Sequence, residues 1–395
     1  MKIEPRIAAW HHELTRIRRD IHAHPELGFE EQRTSEIVAT KLREWGCEVT
    51  TGIAKTGVVG TIRVGNSPRA IGLRADMDCL PMEETNTFAH RSTIKGKMHG
   101  CGHDGHTTML LGAARYLAET RNFQGTVHLI FQPAEEGGGG GRVMVEEGLF
   151  RKFPCDSVFA MHNRPSLPVG KFSIRPGPML AGGTRFDIRV RGKGAHGARP
   201  ESGVDPIVVA AQIVTAAQTI VARNMSPHEP VVLSFTQIHA GDAYNVIPET
   251  AVLRGTIRCY RTEVREQVQA NLERIARSVA AAFGAVAEPD IRHGYPPLVN
   301  DAAEAEFMAD VAAAIVGEEN VDRNGPRVMG SEDFSYMLEA VPGAFILTGQ
   351  GGTHGGCEVH NPGYDFNDAV IPLGATLFAR LVEAKLSMEP EPAAT

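Results

Sequence analysis

Between about Ala181 and Tyr295 the chain reads strand RFDIRVRG, helix Val204 to Arg223, strands PVVLSFTQIHA and AVLRGTIRCY, helix Thr262 to Ala282, and strand AEPDIRHG. That order, β-α-β-β-α-β, is the split pattern of a ferredoxin-like α+β unit. It constrains the whole chain, because the residues on either side follow a different rhythm. Before it come an amphipathic helix (Ile7, Trp10, Leu14, Ile17, Ile21) that stops ahead of HPELG, and a helix from about Glu30 to Trp45 closed by Gly46. Strands CEVTT, GVVGTIRV, AIGLRADMD, TVHLIF, SVFAMH and FSIRP follow, interleaved with helices. After YPPLVND the same style resumes with a helix, strand GAFILTG, a Gly-rich loop and a long helix from Asp368. Strands alternating with helices predict a mixed, largely parallel α/β sheet. The expected division is therefore a discontinuous domain, residues 1–180 and 296–395, carrying an inserted domain, residues 181–295. A chain of 395 residues with 42% hydrophobic content has material for two cores.

Composition narrows the function classes. Lys and Arg total 40 against 47 Asp and Glu, a formal charge of −7, and no basic block interleaves with aromatics, which argues against a nucleic-acid partner. The opening MKIEPRIAAWHHELTRIRRD lacks an apolar signal core, and no run reaches the roughly 18 apolar residues of a membrane helix. A cytoplasmic protein without a membrane partner is the expectation. Cys47, Cys79, Cys101, Cys155, Cys259 and Cys357 form no paired framework and read as reduced thiols. Five read as packing residues, while Cys101 stands among other ligand types.

Cys101 lies in MHGCGHDGHTTML, Met98 to Leu110, with His99, His103, Asp104 and His106. Cys101 and His103 sit two apart in a Gly-broken, non-helical segment, where alternate side chains share one side. An apolar stripe of Met109, Leu110, Ala113, Ala114 and Leu117 then predicts a helix beginning after Asp104 and Gly105. Other ligand types follow apolar strands: Asp76 and Asp78 after AIGLR, Glu135 and Glu136 after TVHLIF, His162 after SVFAM, and His360 in the loop after GAFILTG. Sites in open α/β sheets lie at the carboxyl ends of strands, so these residues are expected to converge with Cys101 and His103. Thiolate, imidazole and carboxylate together point to zinc or a neighbouring transition metal rather than calcium or magnesium, and the donors are numerous enough for two ions. In the Glu-Glu pair, one carboxylate binds metal while its neighbour serves as general base. EEGGGGGR lacks the Lys-Ser/Thr of a phosphate loop and reads as a mobile loop. His128 reads as a core histidine, and His11, His12, His22, His24, His90 and His228 as solvated or local hydrogen-bonders.

The segments RADMDCLPMEE, MHGCGHDGHTTMLLGAA, IFQPAEEGGGG, AMHN, GKGAHGARP, NVIPETAVLRGTIR, GSEDFSYM and HNPGYDFND resemble the M20 metallopeptidase family, and within it the amidohydrolase branch of hippurate hydrolases and N-acyl-amino-acid deacylases. The motifs run in order across nearly the whole chain. The resemblance implies a zinc-peptidase-like catalytic domain holding two divalent ions (Zn, Mn, Co or Ni) and an inserted lid that serves for dimerisation. It makes Cys101 the bridging thiolate, with His103, Glu136, His162 and His360 completing two metal sites and Glu135 as general base. Broader relatives begin their first motif with His-x-Asp. Here Asp76-Met77-Asp78 stands instead, so His103 replaces the missing histidine, Asp78 orients a ligand from behind, and Asp76 has no assigned role. In the lid, His196 and Asn245 match positions that hold the reacting carbonyl oxygen, and Arg258 one that grips a substrate carboxylate. The implied reaction is hydrolysis of a small N-acyl-L-amino acid by a homodimer or higher oligomer. Alternatives are a dedicated N-acetyl-diaminopimelate deacetylase, a dipeptidase or carboxypeptidase, and, in another class, a metal-stabilised binding protein without turnover. The spare base beside Glu136 argues against the last.

Overall fold

The structure, a computed structural model, describes residues 1–351 and 357–388. They form two compact units: Met1–Gly177 with Val299–Pro326 and the chain from Asp333 on, and Pro178–Leu298 with Arg327–Glu332.

In the first unit an eight-stranded sheet runs in the order Glu48–Ile53, Gly57–Val64, Gly125–Gln132, Ala70–Asp76, Ser157–Arg164, Gly343–Gly349, Phe172–Ser173, Val321–Asp322. The four middle strands, from Gly125–Gln132 to Gly343–Gly349, are parallel neighbours. Ala70–Asp76, apolar except for Arg74 and Asp76, is buried along its whole length between its two partner strands. From it the chain crosses to Gly125–Gln132 on one side and then to Ser157–Arg164 on the other. In open α/β sheets such a reversal marks the carboxyl edge at which ligands bind, and the ligand-type residues lie at that edge.

Helix His103–Thr120 is buried on nearly all sides and packs against the closing helix Ile371–Lys385. It starts earlier than its apolar stripe predicts. Gly102 is its N-cap at φ 95°, so His103, Asp104 and His106 occupy the first turn instead of preceding the helix. The opening amphipathic segment is likewise two helices, Pro5–Ala9 and His11–Ala23, joined at Trp10.

The second unit is an antiparallel sheet ordered Val231–Ala240, Thr250–Cys259, Gly182–Arg191, Val286–His293. This is the strand order of a ferredoxin-like α+β unit. Helices Pro206–Thr219 and Thr262–Ala282 bury Val209, Ile213, Val268 and Leu272 against Phe186, Ile188, Val190 and Leu253. One helical run, Pro206–Asn224, is long and apolar enough by composition to cross a membrane; its inner side, Val209, Ala210, Ile213 and Ala217, lies in this core. Arg327–Glu332 also belongs to the second unit, through backbone bonds of Val328 with Met179 and Ala181. So short a segment carries no periodicity to announce which unit it joins.

Candidate metal centre

Cys101 and His103 flank a turn that only glycine can make. At φ 95°, a Cβ on Gly102 would collide with Asn163 and the Tyr364 hydroxyl. The turn sets Cys101 Sγ 3.4 Å from His162 Nε2. His162 donates from Nδ1 to the Asn163 carbonyl at 2.7 Å, which turns the Nε2 lone pair toward the sulfur. His103 behaves alike: Nδ1 donates to the Asp78 carbonyl at 2.9 Å, and Nε2 is buried without a hydrogen-bond partner among the described residues. Among the described residues Glu136 Oε1 is also buried without one. It lies 3.2 Å from His360 Nε2, a contact without hydrogen-bond geometry, and the His360 N–H is pinned to the Gly100 carbonyl at 2.7 Å.

Two donor groups result, each with ligand atoms within 4.8 Å of one another: Cys101, His103 and His162, and Cys101, Glu136 and His360. They share the thiol. His103, Glu135 and Glu136 form a further such group. An unsatisfied imidazole nitrogen and carboxylate oxygen are costly to bury, and a cation satisfies both at once. Burial and the charges of Glu136, Glu135 and Asp76 push the Cys101 thiol well above its ordinary range. Burial, with His106 next, holds His162 well below its usual value and hence in the neutral form that ligates. The soft, mixed donor set and these orphaned atoms fit transition-metal ions.

Behind the donors lies a layer of fixed carboxylates. Asp78 accepts the Glu135 N–H on Oδ1 at 3.0 Å and the Glu136 N–H on Oδ2 at 2.9 Å, and its Oδ1 sits 3.3 Å from His103 Nδ1. Asp76, unassigned in the sequence, has both oxygens engaged: Oδ1 with His106 Nδ1 at 2.7 Å and Oδ2 with Arg74 at 2.8 Å. His106 is held on its other nitrogen by Asn163 at 2.7 Å. It therefore has no lone pair to spare despite lying near His103. The buried Arg74 also bonds Gln132 at 2.8 Å and Asp333 at 3.1 Å, while Asp333 accepts from Gly141 N–H at 2.8 Å. The Asp333 N–H in turn points at Glu135 Oε1, 3.4 Å away. Sequence reasoning missed Arg74 and Asp333. An arginine inside the apolar AIGLRAD was the available sign, whereas GSEDFSYM offered nothing beyond its resemblance.

In the second unit, His196 and Asn245 meet on a small ribbon. Ala195–His196 pairs with Val246–Ile247, and the Gly197 N–H donates to the Asn245 carbonyl at 2.7 Å. His196 is exposed, and its Nδ1 accepts the Ala198 N–H at 3.0 Å, which leaves the proton of the neutral ring on Nε2. Arg258, half-buried in Thr250–Cys259, donates to the Ser331 hydroxyl and has no carboxylate partner among the described residues.

Three histidine readings change, that of His11, whose Nε2 lies 3.0 Å from the Asp368 carbonyl, and those of His22 and His90. His22, read as solvated or locally bonded, is fully buried between Asp104 at 2.8 Å and Glu84 at 3.3 Å. Burial alone would lower its pKa, but Asp104 and Glu84 raise it to about 9. Arg18 joins the same cluster, with Asp365 at 2.9 Å and Asp368 at 2.6 Å, and His90 contacts Asp365 at 3.2 Å. These partners are remote in sequence, so no local pattern marks them. His128 is a core histidine, its Nδ1 paired with the Thr61 hydroxyl at 2.9 Å.

The chain is 40% identical over 381 residues to the hippurate hydrolase of Campylobacter jejuni, covering 96% of this chain and 98% of that one. It is 39% identical over 360 residues to the N-acetyl-L-cysteine deacetylase of Bacillus subtilis, covering 91% and 85%. Among solved structures, a dinuclear metal binding peptidase of the M20 family from Bacillus subtilis superposes with a TM-score of 0.84 at 34% identity, covering 97% of this chain and 100% of that one. The sequence model of peptidase family M20/M25/M40 matches residues 72–384, the span that holds every strand-end donor described above, and this chain belongs to that family.

Proposed function

We propose that this chain, acting as a cytoplasmic homodimer with two divalent ions drawn from Zn, Mn, Co and Ni, hydrolyses the amide bond of N-acyl-L-amino acids to a carboxylic acid and a free amino acid. The observation that carries the reading is the Glu135–Glu136 pair. Glu136 groups with Cys101 and His360, while Glu135, one residue away, keeps a buried carboxylate within 4.8 Å of His103 and Glu136 ligand atoms. A site that only stabilised the fold would need no such second carboxylate. Hippurate and N-acetyl-L-cysteine, named in the two relatives, are both N-acyl amino acids.

When bound, the two ions would supply Lewis-acid polarisation of the amide carbonyl and acidify water. The residues do the rest. Glu135 accepts a proton from the attacking water and passes it to the departing amine as the C–N bond breaks. Asp78 holds the two backbone N–H groups that aim Glu135 and Glu136. His196 donates its Nε2–H to the developing oxyanion, with Asn245 beside it. The edge strand Val231–Ala240 and the exposed Ile207, Val208, Ile238 and Val246 support a second copy docking on this unit. His196 would then serve the partner's centre. Mixing inactive His196→Ala with inactive Glu135→Gln protomers should regenerate activity through heterodimers. No recovery despite proven subunit exchange would return His196 to its own subunit or remove it from catalysis.

Arg258 is the proposed reader of the substrate carboxylate, since a half-buried guanidinium without an acidic partner among the described residues matches a planar carboxylate through two parallel hydrogen bonds. The primary experiment loads the protein with metal and screens N-acyl amino acids, their amides and dipeptides by ninhydrin detection of released amine. Turnover should concentrate on N-acyl amino acids with a free carboxylate; turnover confined to dipeptides would replace the reading with a peptidase. Charge-assisted hydrogen bonds are worth roughly 1.5 to 3 kcal/mol, so Arg258→Ala should cut kcat/KM about 10- to 150-fold on free-carboxylate substrates. The corresponding amides should scarcely change. Equal loss on both would make Arg258 structural.

A further inference from the structure

The loop that carries Glu135 and Glu136 is held at three successive peptide N–H groups, each by a buried carboxylate. Asp78 takes those of Glu135 and Glu136. The third, on Ala134, belongs to Glu31, whose Oε1 accepts it at 2.8 Å. Ala134 needs holding, because its φ is 53°, in the left-handed region that alanine rarely enters. Glu31 is itself anchored: its Oε2 accepts the Thr56 hydroxyl at 2.6 Å, and the residue is fully buried. Gly28, three residues before Glu31, presses on the same point, since a Cβ there would stand 2.9 Å from both Ala134 Cα and Cβ. The segment HPELGFEE, His24 to Glu31, thus delivers a carboxylate and a close backbone contact to the one strained residue before the Glu-Glu pair. Burial lifts the Glu31 carboxyl to about 7, so the fold keeps an unfavourable group here.

We infer that Glu31 is a positioning residue for Glu135: by fixing the Ala134 peptide in its left-handed conformation, it aims the Glu135 carboxylate at the water it deprotonates. The inference rests on Glu135 being the general base. Glu31 touches none of the metal donors, so its loss should leave metal and substrate binding intact and act on turnover alone.

The test uses metal-loaded full-length protein, with metal content and melting curves measured for each variant. Misplacement of a reacting group by about 1 Å costs up to about 10²-fold, so Glu31→Ala should lower kcat about 10- to 100-fold at unchanged KM and unchanged metal content. Glu31→Gln should stay within about threefold of the native rate, because its amide oxygen still accepts the Ala134 N–H and its NH₂ donates to Thr56. Gly28→Ala keeps the carboxylate but displaces Ala134, and should reproduce the kcat loss; it carries the test if Glu31→Ala does not fold. In a Glu135→Gln background Glu31→Ala should cost less than about twofold more, since two residues acting through one step are not additive. An equal further loss in that background, or a native kcat in both Glu31→Ala and Gly28→Ala, would make Glu31 merely structural and overturn the inference while leaving the base assignment standing. Full turnover by Glu135→Gln alone would overturn both.

Discussion

Glu135→Gln is expected to lower kcat by about 10²- to 10⁴-fold, the usual worth of a general base, while metal content and KM stay near native. The substitution is isosteric, and the backbone N–H that Asp78 holds is untouched. What disappears is the ability to accept a proton from water, since an amide is not basic at neutral pH. Glu136→Gln should behave in the opposite sense. Its Oε1 is a buried oxygen without a hydrogen-bond partner among Cys101, His103 and His360. Removing its charge should reduce the metal held per subunit, with activity falling in proportion. Metal analysis beside steady-state kinetics on both variants checks this. If Glu135→Gln loses metal and Glu136→Gln keeps it, the two roles are exchanged.

Stripping the metal should abolish turnover, and Zn, Mn, Co or Ni should restore it to different extents. Without a cation, His103 Nε2 and Glu136 Oε1 in the interior of the first unit have no hydrogen-bond partner among the described residues, so melting should shift as well as activity. A ligand present at about one hundred times its Kd stabilises by about 2.7 kcal/mol, which a thermal melt with and without chelator resolves. Stoichiometry adds a sharper reading. Cys101 belongs to both donor groups and His162 to one. Cys101→Ala should therefore deplete two ions per subunit, whereas His162→Ala should deplete one. Full activity in verified metal-free protein would end the metal-dependent reading, and equal depletion by the two variants would end the shared-thiol reading.

Much of this was legible in the residues because both signals involved are local. Period-two and period-3.6 patterns mark strands and helices wherever one side is buried, so the β-α-β-β-α-β run could be read directly, and helix Thr262–Ala282 has the bounds its pattern predicts. Most of the ligand-type residues were legible because Asp76, Asp78, Glu135, Glu136 and His162 lie at or just past the ends of apolar strands, and parallel strands carry those ends to one edge. That geometry depends on sheet type rather than on any particular contact.

What the sequence by itself determined was thus the order of elements, the α/β and ferredoxin-like classes, and a set of ligand-type residues that the fold brings close together. Only the tertiary structure decided what holds those donors in place. Glu31 on Ala134, Asp333 on Glu135, Arg74 on Asp76, and His22 on Asp104 each join residues far apart in the chain. A hydrogen bond between buried side chains depends on where two backbones arrive in space, and it leaves no period or spacing in either segment. The same limit applies to the start of helix His103–Thr120, where Gly102 turns at φ 95° in a space that Asn163 and Tyr364 close to any Cβ, and no local pattern marks either neighbour. Patterns that repeat along a chain report which surface is buried, whereas single polar contacts between distant segments exist only once the chain has folded.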